Sequence, residues 1–340
     1  MLINNIRDKE DRRFEYLRIS ITDKCNFRCS YCMPQEKFGK NHKFLKRDNL
    51  LSYEELIRLI KIFENIGLTK IRITGGEPML RKRVDNLIRA IKTETNIKSI
   101  TMTSNGSLLN KAKLQELKDS GLDNITLSLD SVKNKTNNLI NPTKFDFTKI
   151  LRVIDETIEV FGFAKINMVV IKQINHMEIS NMIDVFKNKK AQLRFIEYMD
   201  VGESNKWNIE SVFTTNEIKK IIAKEYRIQP LPNANNSTSE RWSISNHLCE
   251  LAFISSISKP FCSDCDRGRL SADGKFFTCL FSNKGYDLLH LVRDSNNDDM
   301  ILKTIMNIWS NRQDKYSEIR FSEKIKKENK NKVEMSYIGG

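Results

Sequence analysis

Hydrophobic and polar residues alternate with a period of two in six short stretches of this chain, at 17–22, 70–74, 98–103, 124–129, 165–171 and 192–198. Between them lie longer stretches with helical spacing. One starts with a capping box, Ser52-x-x-Glu55, and continues with Leu56, Leu59, Ile60 and Phe63 on one face. Others carry Val84, Leu87, Ile88 and Ile91, or Ile150, Val153, Ile154 and Thr157. Six alternations of strand and helix predict a parallel sheet built from right-handed crossovers. Parallel strands covered on both faces read as unbroken apolar runs, and these do not. Leu17, Ile19 and Ile21 alternate with Arg18, Ser20 and Thr22, and Ile71 and Ile73 alternate with Arg72 and Thr74. Thr101 and Thr103, Thr126 and Ser128, and Lys165 and Asn167 repeat the arrangement. Alternate residues of a strand share a face, so one face of this sheet is polar and carries cations. A sheet curved around a wet lumen explains such a face. The predicted fold class is α/β, a partial (β/α)6 TIM-like barrel.

The barrel is expected over residues 1–200, and a C-terminal α+β unit with its own cysteines over 201–340. Residues 230–240 read as a loop by composition. A chain of 340 residues with 39% hydrophobic content describes a soluble globular protein. No apolar run approaches the ~20 residues that span a bilayer, and residues 1–13 show no signal-peptide core. The net charge of +14, part of it in the Lys-rich segment 324–332, suits either a polyanionic partner or a solvated surface.

The cysteines carry more information. Of seven, six fall into two clusters, Cys25, Cys29, Cys32 and Cys262, Cys265, Cys279, with Cys249 apart. Clustered spacing without a signal peptide suggests metal ligation in a reducing cytoplasm rather than disulfides. Three thiolates just after the first strand can hold a cubane of four irons and leave one iron open to a small chelating molecule. Structural zinc takes four ligands, and the nearest further candidate, His42, lies in a Lys-rich stretch. Gly75-Gly76-Glu77-Pro78 follows the second strand, where paired glycines let backbone approach a ligand and where barrel-type sheets place their sites. In the second cluster, Asp273-Gly274 signals a hairpin between strands at 269–272 and 275–278 that returns Cys279 to Cys262 and Cys265. A zinc site completed by Cys249 or His247 is the alternative there.

The first cysteine spacing, together with Gly75-Gly76-Glu77-Pro78, resembles the radical S-adenosylmethionine superfamily. The second motif, Cys262-x-x-Cys265-x-Arg267-x-Arg269-Leu-Ser-Ala-Asp-Gly with Cys279 downstream, resembles the GTP 3′,8-cyclase family that opens molybdenum-cofactor biosynthesis. The likeness runs through almost the whole chain, including Arg194-Phe-Ile-Glu-Tyr-Met-Asp200 and Gly339-Gly340. It implies two [4Fe-4S] clusters, one on Cys25, Cys29 and Cys32 and one on Cys262, Cys265 and Cys279. It further implies S-adenosylmethionine held by Tyr31, Gly75, Gly76, Glu77, Ser128 and Met199. GTP would be held by Arg18, Arg72, Thr103, Lys165, Arg267, Gly268 and Arg269. Without the resemblance, Met199 reads as an ordinary core methionine.

The implied reaction is radical. A 5′-deoxyadenosyl radical takes hydrogen from the ribose 3′ carbon of GTP, that carbon closes onto guanine C8, and one electron and one proton complete the product. Gly339 and Gly340 have three readings, a disordered end, a sulfur-carrier tail, or a tail threaded into the active site. The resemblance implies the third and groups them with the catalytic cysteines Cys25, Cys29 and Cys32 and with Arg267 and Arg269. Implied partners are a reducing electron donor, the downstream cyclic pyranopterin monophosphate synthase and a second copy in a homodimer, with no nucleic acid and no membrane. Asn141-Pro142-Thr143 departs from the Gly-Arg of many relatives, and it and the 230–240 loop are expected to touch no ligand. Two rival readings stand beside this one. A radical enzyme of another subfamily would act on a peptide. A basic zinc protein binding nucleic acid would explain the charge, but not the glycine motif or the cationic strand face.

Overall fold

The alternation read along the chain becomes the two faces of one curved sheet. The computed structural model describes residues 6–233, 237–322 and 332–339. Its strands are β1 (Tyr16–Ser20), β2 (Lys70–Thr74), β3 (Ser99–Ser104), β4 (Asn124–Ser128), β5 (Ala164–Val170), β6 (Ala191–Glu197), β7 (Ile228–Pro230), β8 (Glu240–Ile244), β9 (Glu250–Ile254), β10 (Arg267–Leu270), β11 (Lys275–Phe277) and β12 (Tyr286–Asp287). β1 to β6 lie side by side in chain order and are all parallel. Each lies within two residues of the stretch whose alternation predicts it.

The apolar phase of each strand packs outward under helices. Leu17, Ile19, Ile71, Ile73, Met102, Ile125, Leu127, Ile166 and Met168 are fully buried in that layer. The helix Tyr53–Glu64 opens on the expected capping box, Ser52 accepting from Glu55 N while Glu55 accepts from Ser52 N, and buries Leu56, Leu59, Ile60 and Phe63. Helices Val84–Glu94 and Thr148–Phe161 bury the stripes that mark them in the sequence.

Among the described residues, the second half of the chain builds no separate sheet. β9 adds parallel to β6, and β8 and β7 follow it antiparallel. At the opposite edge β10 adds parallel to β1, with β11 and β12 beyond it. Residues 267–287 and 228–254 therefore widen the same sheet at its two ends, and the predicted hairpin around Asp273-Gly274 is the β10–β11 pair.

β10 carries the period-two rule into the second cysteine unit. Arg267 and Arg269 share a face, and Gly268 between them turns to the packed layer, where a Cβ would stand 2.7 Å from both Phe14 and Phe276. Phe14 meets Phe63 at 5.3 Å and Trp309 at 4.8 Å, so the rings have little room to retreat. Gly268→Ala is therefore expected to destabilise the chain by about 1–3 kcal/mol through overpacking. Denaturant unfolding reads this directly, and unchanged stability would show that the aromatic layer yields.

Candidate active site

The first cysteine loop begins where β1 ends and is stitched to the segment after β2. Gly76 N donates to Thr22 O at 2.7 Å and Glu77 N to Lys24 O at 2.8 Å. A Cβ on Gly76 would lie 2.2 Å from Lys24 O, so only glycine allows the approach. Arg28 holds the loop from inside, donating to the carbonyls of Phe38, Cys25 and Phe27 at 2.7 Å each. Cys25, Cys29 and Cys32 face a cavity of about 150 Å³ shared with Tyr31, Gly75, Gly76, Glu77, Asn105 and Ser128. Burial pushes all three thiols up, Cys25 to about 11 with Glu77 adding to the effect. Thiolates that disfavoured become stable once cationic iron binds them. Three free thiols on one wall, with no histidine among the lining residues, fit a cubane cluster that keeps one iron for another ligand.

A second cavity of about 250 Å³ adjoins the first and shares Tyr31, Thr103, Ser128, Asp130 and Met335 with it. Its strand-borne cations are Arg18, Arg72, Arg194, Arg267 and Arg269. Arg269, Arg18 and Arg72 stand at one register on β10, β1 and β2. Burial lowers the proton affinity of Arg18 well below the usual arginine value, and Arg269 and Arg72 lower it further. Burial brings Arg194 to about 10, helped by Arg72, and Arg269 to about 10, helped by Arg267. Lys165, paired with Thr126 and Gln192, lines neither cavity, and burial and then Arg194 and Arg72 lower its proton affinity. Thr103 Oγ1, Asn167 Oδ1 and Arg194 Nε are buried without a hydrogen-bond partner. Met199, an ordinary core residue by sequence, lines this cavity. Tyr31 donates to Asp130 at 2.9 Å, which holds its ring at the junction of the two cavities.

Cys262, Cys265 and Cys279 open into the far end of the same lumen. Burial raises Cys262 and takes Cys279 to about 12. Burial works against Cys265 too, yet Arg267 and Arg312 overcome it and draw that thiol down to about 6. Cys249 is buried elsewhere, its Sγ donating to Glu250 O, and neither it nor His247 lines the cavity. Among the described residues, no three His, Cys, Asp or Glu side chains close on one point as ligands of a single ion would. Thiolates that each bind a different iron of a cluster stand further apart.

Residues 335–339 reach the lumen. Gly339 is buried with φ +76°, its carbonyl accepts from Arg269 Nη1, and a Cβ there would lie 2.5 Å from Thr74 Oγ1. Gly340 lies outside the described residues. Met335 lines both cavities, a position that nothing in the local sequence signals. Gly268 faces away from the lumen, so any ligand contact there is left to its main chain.

Asn141 and the 230–240 loop, expected to touch no ligand, both border the candidate site. Asn141 Oδ1 accepts from Arg28 N at 2.8 Å inside the cysteine loop and lines the first cavity, and Thr238 lines the second. Arg194 and Asp130 are site residues that sequence reasoning missed. Arg194 follows the same alternation as Arg18 and Arg72, which is the signal that was available.

A six-strand parallel core with a three-cysteine loop after its first strand defines a radical S-adenosylmethionine protein. The Radical SAM superfamily matches residues 19–186, and the family described as Molybdenum Cofactor Synthesis C matches residues 191–318. Streptococcus suis SuiB bound to S-adenosylmethionine shares the fold, with a TM-score of 0.61 and 16% identity over 85% of this chain and 66% of that one, just under two-thirds of its length. A GTP 3′,8-cyclase of Staphylococcus haemolyticus is 40% identical over the full length of both chains. One of Staphylococcus epidermidis is 41% identical over 98% of this chain and 99% of its own. The chain belongs to the GTP 3′,8-cyclase family of radical S-adenosylmethionine enzymes. No helix among the described residues is long and apolar enough to cross a membrane.

Two buried carboxyls give the site a pH signature. Burial raises Glu77 to about 7 and Asp130 to about 6, against ordinary values of about 4. The folded chain thus holds protons that the unfolded chain releases between about pH 4 and 7. The stability this contributes is complete below the unfolded values and is lost as pH rises through the folded ones. In denaturation between pH 5 and pH 7 the cluster-free Glu77→Gln variant should lose less stability than cluster-free wild type, a comparison from which the opposite contribution of Cys265, drawn down to about 6, cancels. An equally steep fall in the variant would show that Glu77 is ionised throughout.

Proposed function

We propose that this enzyme converts GTP to (8S)-3′,8-cyclo-7,8-dihydroguanosine 5′-triphosphate, the first step of molybdenum-cofactor biosynthesis, in the lumen between the two cysteine triads. The observation that carries the reading is a row of arginines lining a cavity that ends in one triad of thiols and adjoins the cavity that ends in the other. A triphosphate brings about four negative charges, and each charge-assisted hydrogen bond to it contributes roughly 1.5–3 kcal/mol. A peptide substrate needs no such array.

Cys25, Cys29 and Cys32 would hold the first [4Fe-4S] cluster, and Cys262, Cys265 and Cys279 the second. When bound, the first cluster and S-adenosylmethionine supply the reductive radical chemistry that removes hydrogen from the ribose. Gly75 and Gly76 offer main-chain groups to the methionyl end of S-adenosylmethionine, and Glu77 braces that segment by accepting from Ser104 Oγ and Asn105 N. Tyr31, Ser128 and Met199 border the space between the triads, where the adenosyl group would lie. Arg18, Arg72, Lys165 and Arg194 neutralise the phosphates, and Thr103 adds a free hydroxyl. Arg267 and Arg269 place the nucleotide against the second triad, with Gly339 fixing Arg269 through its carbonyl.

The conversion consumes one electron for reductive cleavage, then one electron and one proton to complete the dihydropurine ring. A reducing donor is therefore a required partner. A homodimer, and cyclic pyranopterin monophosphate synthase as consumer of the product, belong to the same reading.

An anaerobic assay of cluster-loaded protein with dithionite and S-adenosylmethionine, with and without GTP, tests it. Formation of 5′-deoxyadenosine together with a cyclised guanine nucleotide is expected, and each of Cys25→Ala, Cys29→Ala and Cys32→Ala should abolish both. Cleavage that yields no guanine product would remove GTP as the substrate. Arg194→Ala should lower kcat/KM for GTP roughly ten- to hundredfold, the equivalent of one charged hydrogen bond. Its first cluster should bind S-adenosylmethionine as before, as EPR line shape would report. Unimpaired kcat/KM would exclude Arg194 from the phosphate site.

A further inference from the structure

Beside the second triad lies a buried charge cluster that the proposed reaction does not use. Asp8 sits between two guanidiniums, with Oδ2 accepting from Arg12 Nε at 2.6 Å and from Arg312 Nη1 at 3.3 Å. The three side chains are 0%, 2% and 1% exposed. They come from opposite ends of the chain, 304 positions separating Asp8 and Arg312. Trp309 closes the cluster, its ring 4.6 Å from the Arg312 guanidinium and its Nε1 donating to Arg12 O at 3.3 Å.

Two features direct this cluster at the cysteines. Arg12 Nη1 donates to Cys262 O at 2.9 Å, and Arg312 Nη1 donates to Cys265 O at 2.6 Å. The same pair therefore grips the loop that carries two of the three thiols. Both arginines also line the cavity into which those thiols open, and each keeps a buried nitrogen without a hydrogen bond, Nη2 in Arg12 and Nε in Arg312. Asp314 approaches Arg312 Nε to 3.5 Å with a side chain 30% exposed, so it balances part of the charge from the solvent edge. Two buried guanidiniums facing one fully buried carboxylate are an unfavourable arrangement until something anionic sits beside them.

We infer that Arg12 and Arg312 are positioning residues for the second iron–sulfur cluster, fixing its ligand loop through the carbonyls and holding positive charge against it. This rests on the reading of Cys262, Cys265 and Cys279 as ligands of that cluster. Positive charge and hydrogen bonds near cluster sulfurs favour the reduced, more negative state and raise the reduction potential. Arg267 and Arg269 serve the substrate side of the cluster. Arg12 and Arg312 line the same cavity but are tied to the carbonyls of the loop that carries Cys262 and Cys265.

The test is a redox titration of anaerobically loaded full-length enzyme, followed by EPR, on wild type, Arg12→Gln, Arg312→Gln, Arg12→Lys and Arg312→Lys. Iron and sulfide are counted on every sample. In the Gln variants the midpoint potential of the second cluster should move to more negative values, while the first cluster titrates as in wild type. The Lys variants, which keep the charge and lose the planar fork, should fall between. Full iron content with an unmoved potential in both Gln variants would overturn the inference. Loss of the second cluster from Gln and Lys variants alike would also overturn it, by confining both residues to shaping the loop. Wild-type protein binding about four irons rather than about eight would instead bring down the two-cluster reading beneath it.

Discussion

Three guanidiniums stand abreast on β10, β1 and β2, and their mutual repulsion is the constraint around which this structure is organised. Burial lowers the proton affinity of Arg18 and Arg269, and neighbouring guanidiniums lower it further. The fold tolerates them because the opposite face of the same strands is unbroken aliphatic core, with Leu17, Ile19, Ile71 and Ile73 wholly removed from water. Hydrophobic burial on one side stabilises an electrostatically unfavourable surface on the other, and an arriving polyanion relieves it. The site is thus preorganised for charge, which suits a reaction whose difficult chemistry belongs to its cofactors.

The two ends of the lumen are built by different means. At the first triad the backbone does the positioning, since Thr22, Lys24, Gly76 and Glu77 join two loops into a short ladder that excludes any side chain at Gly76. At the second triad side chains do it, through arginines that reach in from residues distant in sequence. Between them Tyr31 and Asp130 set the spacing, while Met335 brings the chain's own end to the junction.

The parallel core and its polar face could be read from the sequence because period two is a local property, and each strand from β1 to β6 displays it alone. The capping box at Ser52 and the glycine pair at 75 and 76 were readable for the same reason. Attachment of β9 to β6 and of β10 to β1 was not, because strands of four or five residues say nothing about which edge they join. Arg194 obeys the alternation, but Gln192 and Ile196 on the same phase blunt the signal. Asn141 read as a loop substitution, and its hydrogen bond to the cysteine loop is set by packing 113 positions away. Asp8, Arg12 and Arg312 look like ordinary surface charges until the fold brings the chain's two ends together.

β1, the earliest of the described strands, has a consequence for how the chain matures. One of its edges pairs with β2, close in sequence, but the other waits for β10, where Tyr16 meets Arg267. Until the ribosome has released that segment, the nascent barrel carries an unsatisfied strand edge beside a basic pocket. Such an edge invites pairing with other chains, and contacts so distant in sequence form slowly. The cysteines of the second triad, which flank β10 and β11, therefore come together in the same event that covers β1.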